Sequence, residues 1–242
     1  MLEFLGQCVK NLNASVKYIF NVRFSSVLAQ AASISYDSLP ISLIIVFIAA
    51  AVITIQVSKQ FLMSGAEAYI GGTIAIVMIR EIAPGFAALA IGARAGTAIS
   101  AEIANMQVTS QVDALKTLKV DPVGYYFAPR IIAGAVTVPM VVLLAEFIGI
   151  VGGMIVSNAT IGLHPARYMH SAWLWMSTKD IYISIFKGVV FGGLIALVCA
   201  TRGYQTQGGA KEVGTSTTQA AILSTIYLLG ADFIIDLLFY IL

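Results

Sequence analysis

Six ionisable residues stand inside stretches that are otherwise apolar: Arg80, Glu81, Glu146, Lys187, Asp232 and Asp236. A charge near the centre of a membrane-spanning helix costs at least about 2.5–3.5 kcal/mol on insertion scales, so each of these needs a partner, water or a headgroup. Two chemistries suit such a set. Carboxylates at Glu81, Glu146, Asp232 and Asp236 can relay protons, which is the working part of an ion-coupled secondary carrier. Alternatively, the charges brace the helices against one another or line a polar path for a substrate. Both readings stay open for Arg80 and Glu81, whereas bracing is the expectation for Lys187 and Asp232. Neighbours on a helix point about 100° apart, so Arg80 and Glu81 cannot pair face to face. Lys187 lies about two turns inside Asp180 and is expected to snorkel outward.

Other chemistry finds little support. The glycine-rich segment 203–218 carries Gly203, Gly208, Gly209 and Gly214, but no Gly-x-x-x-x-Gly-Lys-Ser/Thr run occurs anywhere in the chain. Nucleotide hydrolysis by this chain is therefore not expected. His164 and His170 have no cysteine or acid cluster beside them. They sit with Tyr168, Trp173 and Trp175 in a segment suited to the membrane–water boundary, so no metal site is expected there. Cys8 and Cys199 form neither a metal pattern nor a disulfide framework. No nucleophile and base set stands out, and no catalytic residue is assigned.

The elements that must hold these charges are legible in composition. The chain has 242 residues, of which 59% are apolar and 11% charged, and its mean hydropathy is +0.90. Soluble domains carry about a quarter charged residues, so a soluble enzyme is excluded, as is disorder. A net charge of +2 gives no reason to expect nucleic acid. The fold class is an all-α membrane protein. Roughly 20 apolar residues cross a bilayer, and five spans follow at about 39–57, 70–93, 131–156, 181–200 and 220–242. Residues 1–35 show a helical apolar stripe broken by Lys10, Asn13, Lys17, Asn21 and Arg23, the pattern of one amphipathic helix lying in the interface. A cleaved signal peptide is not expected. Residues 36–242 then form the five-span domain. Lys and Arg in the connections fall nine on the N-terminal side against Lys59, Arg167 and Lys179 on the other, which places the N-terminus inside and the C-terminus outside.

One connection has a pattern of its own. Ser110-Gln111-Val112-Asp113 has the spacing of a helix capping box, and Val112, Leu115 and Leu118 recur every three residues, with Lys116 and Lys119 directly after the two leucines. Asp121-Pro122 is expected to stop this short helix. It either lies on the membrane surface or docks in a groove of a soluble partner. Small residues also repeat every four positions, at Ala88, Gly92, Gly96 and Ser100, at Gly149 and Gly153, and at Gly188 and Gly192. Such ladders let helices approach closely in lipid. Five spans are few to enclose a large path, which makes a homodimer the expected assembly.

The ordered run Arg80-Glu81-Ile82-Ala83-Pro84, Gly92-Ala93-Arg94-Ala95-Gly96, Ala101-Glu102-Ile103, Met106 and 109–115 resembles the core of the MlaE family, also called YrbE. These are the permease subunits of MCE-type ABC transporters. The resemblance continues through Asp121-Pro122, Pro129-Arg130, Asp180, Lys187, Phe191-Gly192, Cys199, Gly203, Gly208-Gly209-Ala210, Val213-Gly214, Thr217-Thr218 and Asp232. It covers nearly everything from about Leu39 onward, and departs at Gln219, where some relatives carry arginine. It implies a fold similar to type V ABC transporters, with two copies paired around a lipid cavity. It implies a cytoplasmic ATPase dimer, which binds the ATP and magnesium, seated on the helix at about 109–119 through Thr109, Gln111, Val112, Asp113, Leu115 and Leu118. It also implies a periplasmic ring of MCE-domain proteins, a phospholipid substrate moved between inner and outer membranes, and a place in the inner membrane of a bacterium that has an outer one. Arg80, Glu81, Asp180, Lys187 and Asp232 match the family's membrane charges near its lipid pocket.

Overall fold

The computed structural model describes residues 2–19 and 22–241, and these residues are helical almost throughout, with no strand among them. The helices are α1 (Leu2–Tyr18), α2 (Phe24–Ser35), α3 (Leu39–Met63), α4 (Ile70–Val77), α5 (Ala83–Ile91), α6 (Thr97–Val108), α7 (Gln111–Thr117), α8 (Pro122–Ile161), α9 (Pro165–Trp175), α10 (Thr178–Tyr204) and α11 (Ala210–Ile241). Two π-turns, Met78–Ile82 and Gly92–Gly96, join α4 to α5 and α5 to α6. Five helical stretches are long and apolar enough to cross a membrane: Phe24–Met63, Glu67–Val108, Pro122–Ile161, Thr178–Tyr204 and Ala210–Phe239. The chain is a multi-pass membrane protein.

The stretches are longer than hydropathy suggests, because apolar windows detect only the segment that must sit in hydrocarbon. The helices continue into polar flanks, and α8 alone runs for 40 residues. The N-terminal segment differs as well. In place of one helix over 1–35 there are two, because Arg23 is extended (φ −70°, ψ 123°) at the N-cap of α2. The part of the expected helix at 20–21 lies outside the described residues.

The chain forms two compact units. The first comprises residues 1–38, 91–138 and 189–242. Its core holds Ile91, Ile103, Phe127, Phe191, Ile195 and Leu228. Close approach is written into its glycines: a Cβ on Gly192 would overlap the Gly134 carbonyl oxygen, and one on Gly203 would lie 2.5 Å from that of Ser100. The helix α1 is tied down by Asn11, whose amide donates to the Thr201 hydroxyl at 3.1 Å, and by Phe4 stacking on Tyr227 at 6.0 Å. Burial pushes the Cys8 thiol on α1 above its ordinary range, against the opposing effect of the Thr201 hydroxyl. Cys8 and Cys199 are both buried. Neither is expected to react with a membrane-permeant maleimide in the folded protein, and both should label once it is unfolded in strong detergent; mass spectrometry of the two cysteine peptides checks this.

The second unit comprises residues 39–90 and 139–188. Here α3 buries Ser42, Val46, Ala50, Thr54 and Ser58, a small-residue stripe at four-residue spacing. The short helix α9 seats on α4. A Cβ on Gly71 would overlap the Tyr168 carbonyl oxygen, and the Gly72 N–H donates to the Ser171 hydroxyl at 3.1 Å. Tyr168 is fully buried, which holds its hydroxyl above the usual phenol range.

Candidate functional site

Proline in mid-helix removes the N–H that would bond the carbonyl four residues earlier. Pro84 therefore leaves the carbonyl of Arg80 without a helical donor, on a membrane-spanning stretch with no bulk water to replace it. The backbone answers by widening: Ala83 N–H reaches the Met78 carbonyl five residues back, forming the π-turn at Met78–Ile82. A side chain completes the repair. Lys187 Nζ, on α10, donates to the Arg80 carbonyl at 2.8 Å and to Glu81 Oε1 at 3.2 Å. Lys187 is entirely buried. It does not snorkel outward as expected, because its ammonium has two acceptors within the unit and no need of the interface.

The widened turn also sets where its two charges point. Arg80 Nε donates to Asp180 Oδ1 at 2.8 Å, with the arginine side chain 52% exposed and the aspartate 4%. Glu81 is 45% exposed beside its buried lysine. Asp180 is fixed by the start of α10. Its Oδ2 accepts the Ser177 N–H at 3.1 Å, while the Ser177 hydroxyl accepts the Lys179 N–H at 3.3 Å. The Asp180 bond is the return half of a capping box, while the serine hydroxyl takes the second helical amide instead of the third. Asp180 thus caps a helix and neutralises an arginine at once. Nearby on the sequence of the same unit, the Ser184 hydroxyl donates to buried Glu146. Four of the expected residues, Arg80, Glu81, Asp180 and Lys187, form one paired cluster. Asp232 lies half-buried on α11 of the first unit, one turn before Asp236.

Exposed charge within a stretch of membrane-spanning character cannot face hydrocarbon without large cost. The outer edge of the cluster, Arg80 and Glu81, therefore marks a surface reserved for water, a headgroup or another polypeptide.

The second candidate is α7. It begins not with the expected capping box but with Ser110 in the left-handed region (φ 58°), and no side-chain cap bond forms there. In that conformation the hydroxyl does not reach the helix amides, and Asp113 instead pairs with Lys116 at 2.8 Å. Thr109 closes α6 by donating its hydroxyl to the Asn105 carbonyl at 2.8 Å, and takes the Gln111 amide at 3.1 Å. At the other end, Lys119 is left-handed (φ 58°), with its N–H on the Lys116 carbonyl and the Val120 N–H on that of Leu115, both at 3.0 Å. This is a Schellman ending. Asp121-Pro122 does not stop α7, which has ended by then. Asp121 caps α8 through the Val123 N–H at 3.1 Å, with Pro122 at the first helical position, where its missing N–H costs nothing. Val112 is fully buried, Leu115 is half-buried and Leu118 is 72% exposed. A seven-residue helix is not stable alone. This one is held at both ends and anchored on Val112 while presenting Leu118 outward.

Two further pairs escaped the reading of the sequence. Arg94 donates to the Ser33 carbonyl at 3.1 Å and to Asp37, linking the π-turn at Gly92–Gly96 to the end of α2. Arg130, buried on α8, donates to Glu102 at 2.5 Å and to the Tyr126 carbonyl at 2.7 Å. No local spacing signals either pair. Ser177-Thr178-Lys179-Asp180, by contrast, has capping-box spacing just ahead of an apolar run, a signal that could have found this cap.

The family profile described as Permease MlaE matches residues 27–238. The chain is 36% identical to a "Probable ABC transporter permease protein" of Synechocystis, over 88% of this chain and 81% of that one. It is 35% identical to a "Probable ABC transporter permease protein" of Rickettsia prowazekii, over 89% and 83%. The chloroplastic protein TRIGALACTOSYLDIACYLGLYCEROL 1 of Arabidopsis thaliana is 34% identical over 77% of this chain and 53% of that one.

Proposed function

Since the chain belongs to the MlaE family of ABC transporter permeases, we propose that it forms, as a homodimer, the path by which phospholipid passes between the inner and outer membranes of a bacterium. In this reading the chain lies in the inner membrane with its N-terminus in the cytoplasm. It holds no nucleotide itself: a cytoplasmic ATPase dimer binds ATP and magnesium, and a periplasmic ring of MCE-domain proteins receives or delivers the lipid. The chloroplastic relative bears the name of a diacylglycerol lipid, in keeping with glycerolipid cargo.

The observation that carries the proposal is α7. A helix too short to stand alone, yet fixed by left-handed residues at both ends, transmits force instead of absorbing it. Closure of the ATPase dimer displaces α7 and, through Val112 and the two short connections, the ends of α6 and α8. The Arg80–Asp180 and Lys187–Glu81 pairs keep the second span rigid where proline has weakened it, and their exposed edge suits a lipid headgroup. These pairs favour a headgroup surface over a proton relay, because Glu81 and Asp180 each have a cation beside them.

Leu118→Asp tests the docking. Its side chain is mostly exposed, so insertion and folding should be unchanged, while recovery of the co-expressed ATPase falls by about tenfold, consistent with a loss of roughly 1.4 kcal/mol at an interface. Full recovery of the ATPase with this variant overturns the assignment of α7. Mass spectrometry of the purified complex should find phospholipid in about stoichiometric amount; its absence counts against lipid cargo.

A further inference from the structure

A cavity of about 400 Å³ opens in the first unit between the start of α2, the end of α6 and the start of α8. Its walls include Tyr18, Arg23, Gln30, Met106, Tyr125 and Arg130. Two guanidinium groups border it, and no carboxylate is among the lining residues that the structure describes. Arg130 is the more informative. A guanidinium presents five N–H donors in a rigid fork. Arg130 uses one on the Tyr126 carbonyl and one on Glu102, packs against the Tyr126 ring at 6.0 Å, and leaves its Nε–H without an acceptor. Its side chain is 96% buried, against 53% for Glu102, by the exposures of 4% and 47%. A buried cation half-satisfied by one carboxylate, with a second cation across a cavity, is a site short of acceptor oxygens.

We propose that this cavity binds a phosphate group, carried by an anionic lipid of the adjoining leaflet. Arginine forks match phosphate oxygens two at a time, and basic pockets between spanning helices suit anionic headgroups. The rest of the lining explains the choice of a lipid over a soluble anion. Tyr18, Met106 and Tyr125 make the walls apolar and aromatic around the two cations. The flank of α2 next to Arg23 exposes Phe24 at 74% and Leu28 at 53%, a surface along which acyl chains can lie. The excess of cation over anion at the walls selects a headgroup with net negative charge over a zwitterionic one. Arg23 and Arg130 belong to segments on either side of α6 and α7 in the chain, so an occupant fastens α2 to the two helices that carry α7.

The test uses the full chain purified in non-ionic detergent, melted in the presence of phosphatidylglycerol, phosphatidylcholine or sodium phosphate. At about tenfold excess over Kd, phosphatidylglycerol should raise Tm by about 3–6 °C, with little change from the other two. Arg130→Lys keeps a charge for Glu102 but loses the fork, and should lose most of that rise. Because a buried arginine can be needed for folding, Arg23→Gln and the cavity-filling Ala29→Trp, both at exposed positions of the wall, serve as independent variants. They should melt as the parent does without lipid and lose at least half of the rise with it. An equal rise with phosphatidylcholine, or an undiminished rise in both Arg23→Gln and Ala29→Trp, overturns the site. An equal rise with sodium phosphate alone overturns the lipid as the source of the phosphate.

Discussion

Lys187→Met is expected to lower the melting temperature of the purified protein by about 8–24 °C. Breaking a buried ion pair by removing one partner costs about 3–5 kcal/mol. The lower end applies here, because Glu81 is half-exposed and finds other solvation. The change also strands the Arg80 carbonyl, at about 1–3 kcal/mol for an unmet buried acceptor, and about 2–4 °C accompanies each kcal/mol in a chain of this size. The distinctive part of the expectation is its dependence on Pro84. In a Pro84→Ala background the alanine N–H can reach the Arg80 carbonyl, so Lys187→Met should cost about 1–2 kcal/mol less than in the parent. Melting curves of the parent, the two single variants and the double variant measure that coupling. Strictly additive losses would mean that Lys187 serves only Glu81.

Gly192→Leu should leave no folded protein, and even Gly192→Ala should cost about 3 kcal/mol or more. A Cβ at Gly192 would overlap the backbone of Gly134 as well as press on Val138, and a Cβ at Gly134 would overlap the backbone of Gly192 in return. Backbone cannot swing aside as a side chain can, so the cost exceeds the usual range of about 1–3 kcal/mol for overpacking. The adjacent Gly193 is the internal control. A Cβ there would meet only Ile131 Cγ2 at 3.9 Å, an ordinary contact. Gly193→Ala should therefore be neutral or stabilise the helix by up to about 1 kcal/mol. Size-exclusion profiles and melting temperatures of the three variants separate these outcomes. A Gly192→Ala protein that melts with the parent would show that α8 and α10 do not approach as closely as described.

The spans were legible because lipid imposes a length and an apolar composition on any helix that crosses it, and five stretches meet both conditions. The charges were legible as anomalies for the same reason. Their partners were not. Arg80 and Asp180 lie 100 residues apart, and Lys187 reaches Glu81 across 106, so no local spacing connects them. Lys187 looked able to snorkel because its distance from Asp180 counts turns but says nothing about acceptors. The ends of α7 were misjudged for a related reason: the capping-box spacing at Ser110–Asp113 is real, but Ser110 adopts a left-handed backbone that tertiary packing selects and local pattern does not reveal. One signal could have been used. Pro84 announces an unmet carbonyl at Arg80, and a lysine buried elsewhere in a span is a natural donor for it.

The wide turn at Met78–Ile82 has a consequence for how this span tolerates insertion and deletion. A π-turn houses one residue more than the surrounding α-helix would use over the same rise. Excising one residue there would let the turn tighten to α-helix with its flanks still in phase, whereas excising one from α5 would rotate everything upstream by about 100° about the axis. Ile70, Ile74 and the glycine pair beneath α9 would then swing off their buried side, and no single exchange of side chain could bring them back into phase. In the regular helix beside this turn the count of residues is more strictly held than their kind, and within the turn one residue can be spared.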